Sequence, residues 1–398
     1  MKKLTRATVI GASIAAPSLA QAQGWQAIPL NPAGGSYCNV TAVRPGIQYG
    51  WRHRGFGMGI EAGFWRSSPK NWTPLNVPPT SAYLNAADGV EQVGIMSGRA
   101  VLWRGTSESR VELHPEIPDA VSNCLGVREG TQVGGVVLPF SVRHAALWHG
   151  TRESFVDLHP AGASNSYAGA TDGVLQGGAV AHTGVEWRAA IWNSTPESMV
   201  ELGPSDTVSE VLAMVPGVQV GYVYRTGGPR PAVWHGTAAS FRDLTPPGIT
   251  GGTTLYGTTG RLHVGQGFIG TSNLAHAVLS FDSATNWLDL HQCLSAPYTT
   301  YSQANTVYQD GPIIYVGGTA RDAGQLDQAI LWIGADPCYP NCDLSTAAPM
   351  LNVNDYVCFL GKFAAGDPYA NCDQSSIAPI LNVNDFVCFA AKFAAGCP

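Results

Sequence analysis

Short apolar runs ending in tryptophan, separated by Gly-, Pro- and Asp-rich turns, set the rhythm of the chain from Trp25 onward. The runs are Gly63-Phe64-Trp65, Val101-Leu102-Trp103, Ala146-Leu147-Trp148, Ala190-Ile191-Trp192, Ala232-Val233-Trp234, Ala277-Val278-Leu279 and Ile330-Leu331-Trp332, the sixth without its Trp. A second phrase follows each of the first six: Pro74-Leu75, Glu112-Leu113, Asp157-Leu158, Glu201-Leu202, Asp243-Leu244 and Asp289-Leu290. A third precedes the next run: Gln92-Val93-Gly94, Gln132-Val133-Gly134, Gln176-Gly177-Gly178, Gln219-Val220-Gly221, His263-Val264-Gly265 and Tyr315-Val316-Gly317. The first five tryptophans recur at intervals of roughly 40 residues, the period of a propeller blade. A unit of that length holds four strands of about five residues plus turns, and one such unit cannot cover its own apolar faces. The pattern predicts a mainly β fold, a β-propeller.

The two ends give the blade count. Leu30-Asn31-Pro32 matches the second phrase and Gln48-Tyr49-Gly50 the third, so the chain opens in mid-unit. The missing first phrase is supplied by residues 329–332. Pairing that strand with the start of the chain near Trp25 closes a ring of seven blades.

After residue 336 the apolar period changes from strand to helix, and the sequence repeats at an interval of 30: Asn341-Cys342-Asp343 is answered by Asn371-Cys372-Asp373, and Leu351-Asn352-Val353-Asn354-Asp355 by Leu381-Asn382-Val383-Asn384-Asp385. Tyr356, Phe359, Leu360 and Phe363 fall on one helical face, as do Phe386, Phe389, Ala390 and Phe393, and Gly366 stands at the first helix stop. Each helix follows a loop with oxygen-bearing side chains: Asn341, Asp343, Ser345, Asn352 and Asp355 in the first copy, Asn371, Asp373, Ser375, Asn382 and Asp385 in the second. Oxygen ligands at alternating positions, with an acid at the helix start, are the pattern of a calcium loop. Two calcium ions are expected, with weak to moderate affinity because each loop supplies two formal charges. The loops exceed a 12-residue calcium loop by about three residues around Ala347-Ala348-Pro349 and end in Asp rather than Glu.

Composition adds compartment. Only 13% of residues are charged and the net charge is −6, which removes nucleic acid and anionic membranes from the expected partners. Residues 1–22 read as an export signal, with Lys2, Lys3 and Arg6, a short apolar stretch, and Ala20-Gln21-Ala22 before the expected mature start at Gln23. The domains expected are therefore 1–22 signal, 23–333 propeller and 336–398 tail, secreted or attached to a cell surface. Nine cysteines fit an oxidising compartment, and six lie in the tail. Six cysteines allow fifteen pairings. If the internal pseudo-twofold is respected, Cys338 joins Cys397 at the two ends. The inner four then pair within repeats (Cys342–Cys358 and Cys372–Cys388), across them, or like with like; pairing within repeats ties each loop to its own helix. Cys38, Cys124 and Cys293 are scattered.

A residue that recurs in every blade holds a blade together. The acid before Leu therefore reads as a turn or inter-blade acceptor, and His114, His159, His291, His149 and His235 as structural. Departures from the repeat are the candidates for ligand binding: Trp51 and Trp72, with the cations between them, and Tyr298, Tyr301 and Tyr308 in a segment, 298–312, that reads as an inserted exposed loop. No Gly-x-Ser-x-Gly, His-Glu-x-x-His or phosphate-loop motif occurs. Glu61, Asp172, Glu186 and Asp206 are isolated acids from which a glycosidase pair would have to be assembled.

Two resemblances follow from these residues. Residues 25–333 resemble the extracellular HAF repeat family, most closely at His144-Ala145-Ala146-Leu147-Trp148 and His276-Ala277-Val278-Leu279; the resemblance implies a secreted repeat array and transfers no catalytic residues. Residues 336–398 resemble a cysteine-bearing, GC-type dockerin. That resemblance implies a calcium-dependent plug for a cohesin-like receptor, with partner contacts at Val353, Asn354, Val383 and Asn384, where the usual small-hydroxyl pair is replaced. The function expected is a non-catalytic binding or scaffold propeller, anchored by its tail; the alternative is an extracellular carbohydrate-active enzyme with the same anchor.

Overall fold

The Trp-ended runs form the third strand of each of seven antiparallel sheets. The computed structural model describes residues 20–21, 24–31 and 37–397, apart from 56–57, 67, 78, 185, 247–248, 270–273, 299 and 346–347. The expected export signal thus lies outside the described residues, except Ala20–Gln21, a short strand parallel to Trp287–Asp289.

Blades 1 to 7 have as innermost strands Tyr37–Arg44, Ala82–Ala87, Val121–Arg128, Ala163–Thr171, Ser209–Val215, Ile249–Thr258 and Ser302–Asp310. Each touches the innermost strand of the next blade, and the seventh touches the first. Closure is as the split repeat predicts: Gln26–Pro29 pairs antiparallel with Asp327–Ala335 as the outermost strand of blade 7, Ala27 opposite Trp332.

The repeated phrases now have physical causes. Trp65, Trp103, Trp148, Trp192, Trp234 and Trp332 are buried, each packed with apolar residues of the preceding blade. Register puts Ser280 at that place in blade 6, one residue beyond the run Ala277-Val278-Leu279, and Trp287 from its outermost strand fills the gap instead, packing with Val220, Val233 and Leu244 of blade 5. The Gln of the third phrase holds the turn that follows the tryptophan: Gln92, Gln132, Gln176 and Gln219 Oε1 accept from Gly105, Gly150, Ser194 and Gly236 N at 2.6–2.8 Å. The acid before Leu pairs chiefly within its own blade, not between blades: Arg99–Glu112, His144–Asp157, Arg188–Glu201 and His276–Asp289 span the third and outermost strands at 2.7–3.0 Å. His114, His159 and His291 bond Ser122, Ser166 and Ser302 at 2.8 Å, and each serine in turn accepts a strand N–H.

One expectation is overturned. Residues 298–312 are not an exposed insertion, because Ser302–Asp310 is the innermost strand of blade 7. Its alternation of amides and tyrosines has strand period, and the ring leaves room for no fewer than seven such strands.

The tail contains helices α1 (Val353–Ala364) and α2 (Val383–Ala395), each opened by a capping box, Asn352 with Asp355 and Asn382 with Asp385. Phe359 and Phe389 stack at 4.1 Å across the pseudo-twofold, and the Tyr339 and Tyr369 hydroxyls each donate to the other's backbone oxygen. Leu360 departs from the expected apolar face: it is 45% exposed, while Tyr356, Phe359 and Phe363 pack inward. The disulfides are Cys338–Cys397, Cys342–Cys358 and Cys372–Cys388. A closed loop of about this length contributes roughly 3 kcal/mol in the chain-entropy model, which matters for so small a core. Cys38, Cys124 and Cys293 take no part in these three disulfides, and burial pushes the Cys38 thiol up to about 11.

The tail is seated on blades 6 and 7. Gly311 N donates to Pro368 O at 2.8 Å, Asn371 Nδ2 to Asp310 at 2.9 Å, and the buried Arg261 guanidinium bonds Asp336, Gln309 and Asn341 O.

Candidate functional site

Each innermost strand carries a bulge at the same place, at Thr41, Asn85, Leu125, Gly169, Leu212, Tyr256 and Asn305. The bulge pushes the preceding channel-side carbonyl onto the second strand. That is why the third phrase ends in glycine in blades 1 to 6, and why in blade 7 the register falls one residue beyond Tyr315-Val316-Gly317: a Cβ on Gly50, Gly94, Gly134, Gly178, Gly221, Gly265 or Gly318 would lie 1.9–2.0 Å from a carbonyl oxygen of the innermost strand.

Two residues before each bulge, strand alternation sets a ring of seven equivalent side chains on the channel side: Asn39, Tyr83, Asn123, Tyr167, Glu210, Thr254 and Gln303. Hydrogen bonds join ring and bulge layer across blades. Gln303 Nε2 donates to Asn305 Oδ1 at 2.6 Å, and Asn305 Nδ2 to Asn39 Oδ1 at 2.6 Å and Val40 O at 3.0 Å. Asn85 Nδ2 donates to Asn123 Oδ1 and to Cys124 O, both at 2.7 Å. On the far side of the ring, Tyr167 and Tyr222 hydroxyls bond the Glu210 carboxylate. Burial, then the Glu210 charge, holds both phenols well above their ordinary range. Aromatic rings stand over this mouth: Trp51 against Tyr83 at 5.2 Å, Trp187 against Tyr167 at 5.4 Å, and Tyr301, whose hydroxyl donates to Gln303 at 2.7 Å. Amides, phenols, aromatic faces and one carboxylate form a surface suited to a polar ligand with apolar faces.

Of the five ligand candidates read from the sequence, the structure brings Trp51 and Tyr301 to this mouth. Trp72 lies on the outermost strand of blade 1, packed on Trp65 at 4.5 Å, with its indole N–H on Glu61 at 3.2 Å. Tyr298 is buried in the core between blades 6 and 7. Tyr308 is at the other end of its strand, with Arg44 over its ring at 4.6 Å. Glu210, Tyr83, Tyr167 and Asn123 escaped the sequence reading because they lie in innermost strands, between the repeated phrases. Their signal is a fixed offset: each faces the residue just after the phrase's glycine.

The isolated acids do not meet. Glu61 is held by Arg52 at 2.7 Å in blade 1, Asp172 caps a turn in blade 4 through Val174 N and Leu175 N, and Glu186 and Asp206 are exposed. The innermost strands hold two carboxylates, Glu210 and Asp310, near opposite ends of the channel.

In the tail, Asn341 Nδ2 donates to Ser345 O at 3.1 Å, and Asn371 Nδ2 to Ser375 O at 3.3 Å and to Asp310. With acceptors only on that side, neither amide has reason to turn round. Oδ1 of each is left buried and without a hydrogen-bond partner. Beside them, Asp355 and Asp385 are fully buried, and Asp343 N and Asp373 N donate to them at 3.3 and 3.1 Å. Burial, and then the neighbouring Asp343 charge, raises the Asp355 carboxyl above its usual range. An orphaned buried oxygen beside two acids, twice over, fits a hard cation held by Asn341, Asp343, Ser345 and Asp355, and by Asn371, Asp373, Ser375 and Asp385. Among the described residues no group of three or more His, Cys, Asp or Glu is clustered as for a metal, so such a cation depends on the amide and hydroxyl oxygens. Val353, Val357 and Leu360 on α1, and Val383 and Val387 on α2, are exposed by 45–72% and form two apolar ridges; Asn354 and Asn384 are exposed beside them.

Fold and site define a class: a seven-bladed β-propeller joined to a disulfide-bonded, two-helix tail. No protein-family model matches the sequence, and no curated protein matches it. Among solved structures, the fold is similar to puromycin hydrolase, with a TM-score of 0.54 at 11% identity over 79% of this chain and 55% of that one. It is also similar to a puromycin hydrolase mutant complexed with PGG, with a TM-score of 0.50 at 12% identity over 78% of this chain and 56% of that one. The chain thus spans little more than half the length of these structures, and the likeness is one of fold. Among the described residues no helix is long and apolar enough to cross a membrane.

Proposed function

We propose that the chain is an exported, non-catalytic binding module, which offers the mouth of its propeller to a polysaccharide or similar polar ligand and is anchored through a calcium-loaded, dockerin-like tail to a cohesin-like receptor. The observation that carries this reading is the geometry of its two surfaces. The tail covers the ends of blades 6 and 7 where Asp310 and Gly311 lie, while the ring of amides, tyrosines and Glu210 stands towards the other end of the same channel. A receptor on the tail therefore leaves the mouth open. The apolar ridges at Val353, Val357 and Leu360 and at Val383 and Val387 support docking, since exposed contiguous apolar surface marks an interaction site. The three disulfides favour an oxidising compartment.

The enzymatic alternative is weaker. A glycosidase needs two carboxylates about 5–10 Å apart, and the innermost strands offer one at each end. The hydrolase names of the similar structures lend little, because this sequence has no Gly-x-Ser-x-Gly elbow.

The test is a glycan array probed with the full chain, followed by Glu210→Gln and Tyr301→Ala. Binding that weakens at least about tenfold in both variants is expected, as a buried polar contact and a stacking face are each worth about 1–3 kcal/mol. Turnover of a bound glycan, or binding indifferent to both substitutions, refutes the reading.

A further inference from the structure

We infer that the two tail loops, alike in sequence, bind calcium with unequal affinity, because the propeller lends an unbalanced charge to one alone: Asp310 makes the Asn371 loop the tighter site, while at the Asn341 loop Arg261 arrives already paired with Asp336. The inference rests on the calcium reading above and deepens it.

Taken alone, the tail gives no reason for a difference. The loops repeat in strict register, their capping boxes match, and their amide oxygens are orphaned alike. Docking on the propeller breaks that symmetry. At the Asn371 loop, the end of the innermost strand of blade 7 brings Asp310 Oδ1 to 2.9 Å from Asn371 Nδ2. Among the described residues Asp310 makes no salt bridge, so no basic side chain cancels its charge. Gly311 then bonds Pro368, which holds this contact in place.

At the Asn341 loop the propeller offers no unbalanced charge. Arg261 Nη2 donates to Asn341 O at 3.3 Å, with the guanidinium over the Tyr369 ring at 5.1 Å. Asp336 neutralises Arg261 from the other nitrogen, so this loop receives an ion pair and no free charge. Arg242 and Arg261, each paired there with an acid, Asp282 and Asp336, also line the cleft of about 640 Å³ onto which Asn341, Asp343, Leu344 and Met350 open.

For a doubly charged ion at a partly solvated site, one nearby unit charge changes affinity by about tenfold, and only the Asn371 loop receives one. Loading is therefore ordered, the Asn371 loop first. The half of the tail that is bonded to the propeller through Asp310 and Gly311 is fixed at the lower calcium concentration. The half that carries Val353 and Val357 completes at the higher one.

Calorimetric titration of calcium into the full, oxidised chain tests this. Two steps separated by at least about tenfold are expected. Asp373→Ala should remove the tight step and Asp343→Ala the weak one. Asp310→Asn keeps an acceptor for the Asn371 amide and should weaken the tight step by about tenfold while the weak step stays where it was. Circular dichroism in chelator establishes that the Asp310→Asn chain folds as the parent does. Two indistinguishable steps, an Asp310→Asn chain that titrates like the parent, or loss of the weak step in Asp373→Ala overturn the asymmetry and leave calcium binding standing. No heat and no spectral change on adding calcium to the parent chain overturn both.

Discussion

Trp287 shows how a single residue repairs a broken repeat. Blade 6 lacks tryptophan at the end of its third strand, yet the pocket between blades 5 and 6 is filled, because Trp287 sits across from Ser280 on the neighbouring strand and turns into the same space. A reading along the chain sees a deviation; the packing sees the same indole arriving from one strand further out. Trp287→Ala should cost about 3–5 kcal/mol, like Trp148→Ala in an intact repeat, since each empties a fully buried site. Trp72→Ala, at a half-buried position, should cost less. Chemical denaturation of the three variants compares them, and a Trp287→Ala chain as stable as its parent would mean that the indole merely lies on the surface of the blade.

At the scale of the strand, the bulge organises both stability and site. It repeats in all seven innermost strands, makes a glycine necessary opposite, and frees a carbonyl that Thr41, Asn85 and Asn305 take up from the adjacent blade. Among the described residues Leu125, Gly169, Leu212 and Tyr256 at the same position make no such bond, so the bulge layer is tied across blades only along blades 7, 1 and 2. The same scale contains the closing strand. Gln26–Pro29 completes the last blade with the start of the described propeller, and its loss exposes the edge of Asp327–Ala335. A chain that starts at Asn31 should unfold at least about 5 °C below one that starts at Gln23, several strand hydrogen bonds and the Ile28 contact being lost. Equal midpoints in differential scanning calorimetry would show that the ring does not depend on this strand.

For the whole molecule, the consequential contact is that of tail and propeller. Gly311 has φ +50°, and a Cβ there would stand 1.9 Å from Asn371 O. Gly311→Ala should therefore loosen the seat of the tail while both parts stay folded. Limited proteolysis ought to cut the substituted chain between residues 336 and 341 several-fold faster than the parent, releasing an intact propeller. An unchanged cleavage rate would mean that Arg261 and Asp336 hold the tail without help from this contact. A seated tail gives the molecule two ends, which the proposed function requires and which a tail on a loose tether would not provide.

Much of this was open to reading before any coordinates. The blade count and the ring closure follow from repeated phrases and a split unit, because burial of one Trp and one Leu per blade imposes the same chemistry seven times. The tail's two loop–helix units follow from its strict internal repeat and a change of apolar period. The channel mouth was not legible in that way. Asn39, Tyr83, Asn123, Tyr167, Glu210, Thr254 and Gln303 each stand a whole blade apart in sequence, differ from one another, and become neighbours only when seven strands share an axis. Leu360 has the period of a core residue, yet it is exposed because the small tail has room for three inward side chains per helix. The unbalanced charge beside one of two matching loops belongs to the propeller, and no pattern within the tail can announce it: a repeat reports what its copies share, and docking on an asymmetric surface decides how they differ.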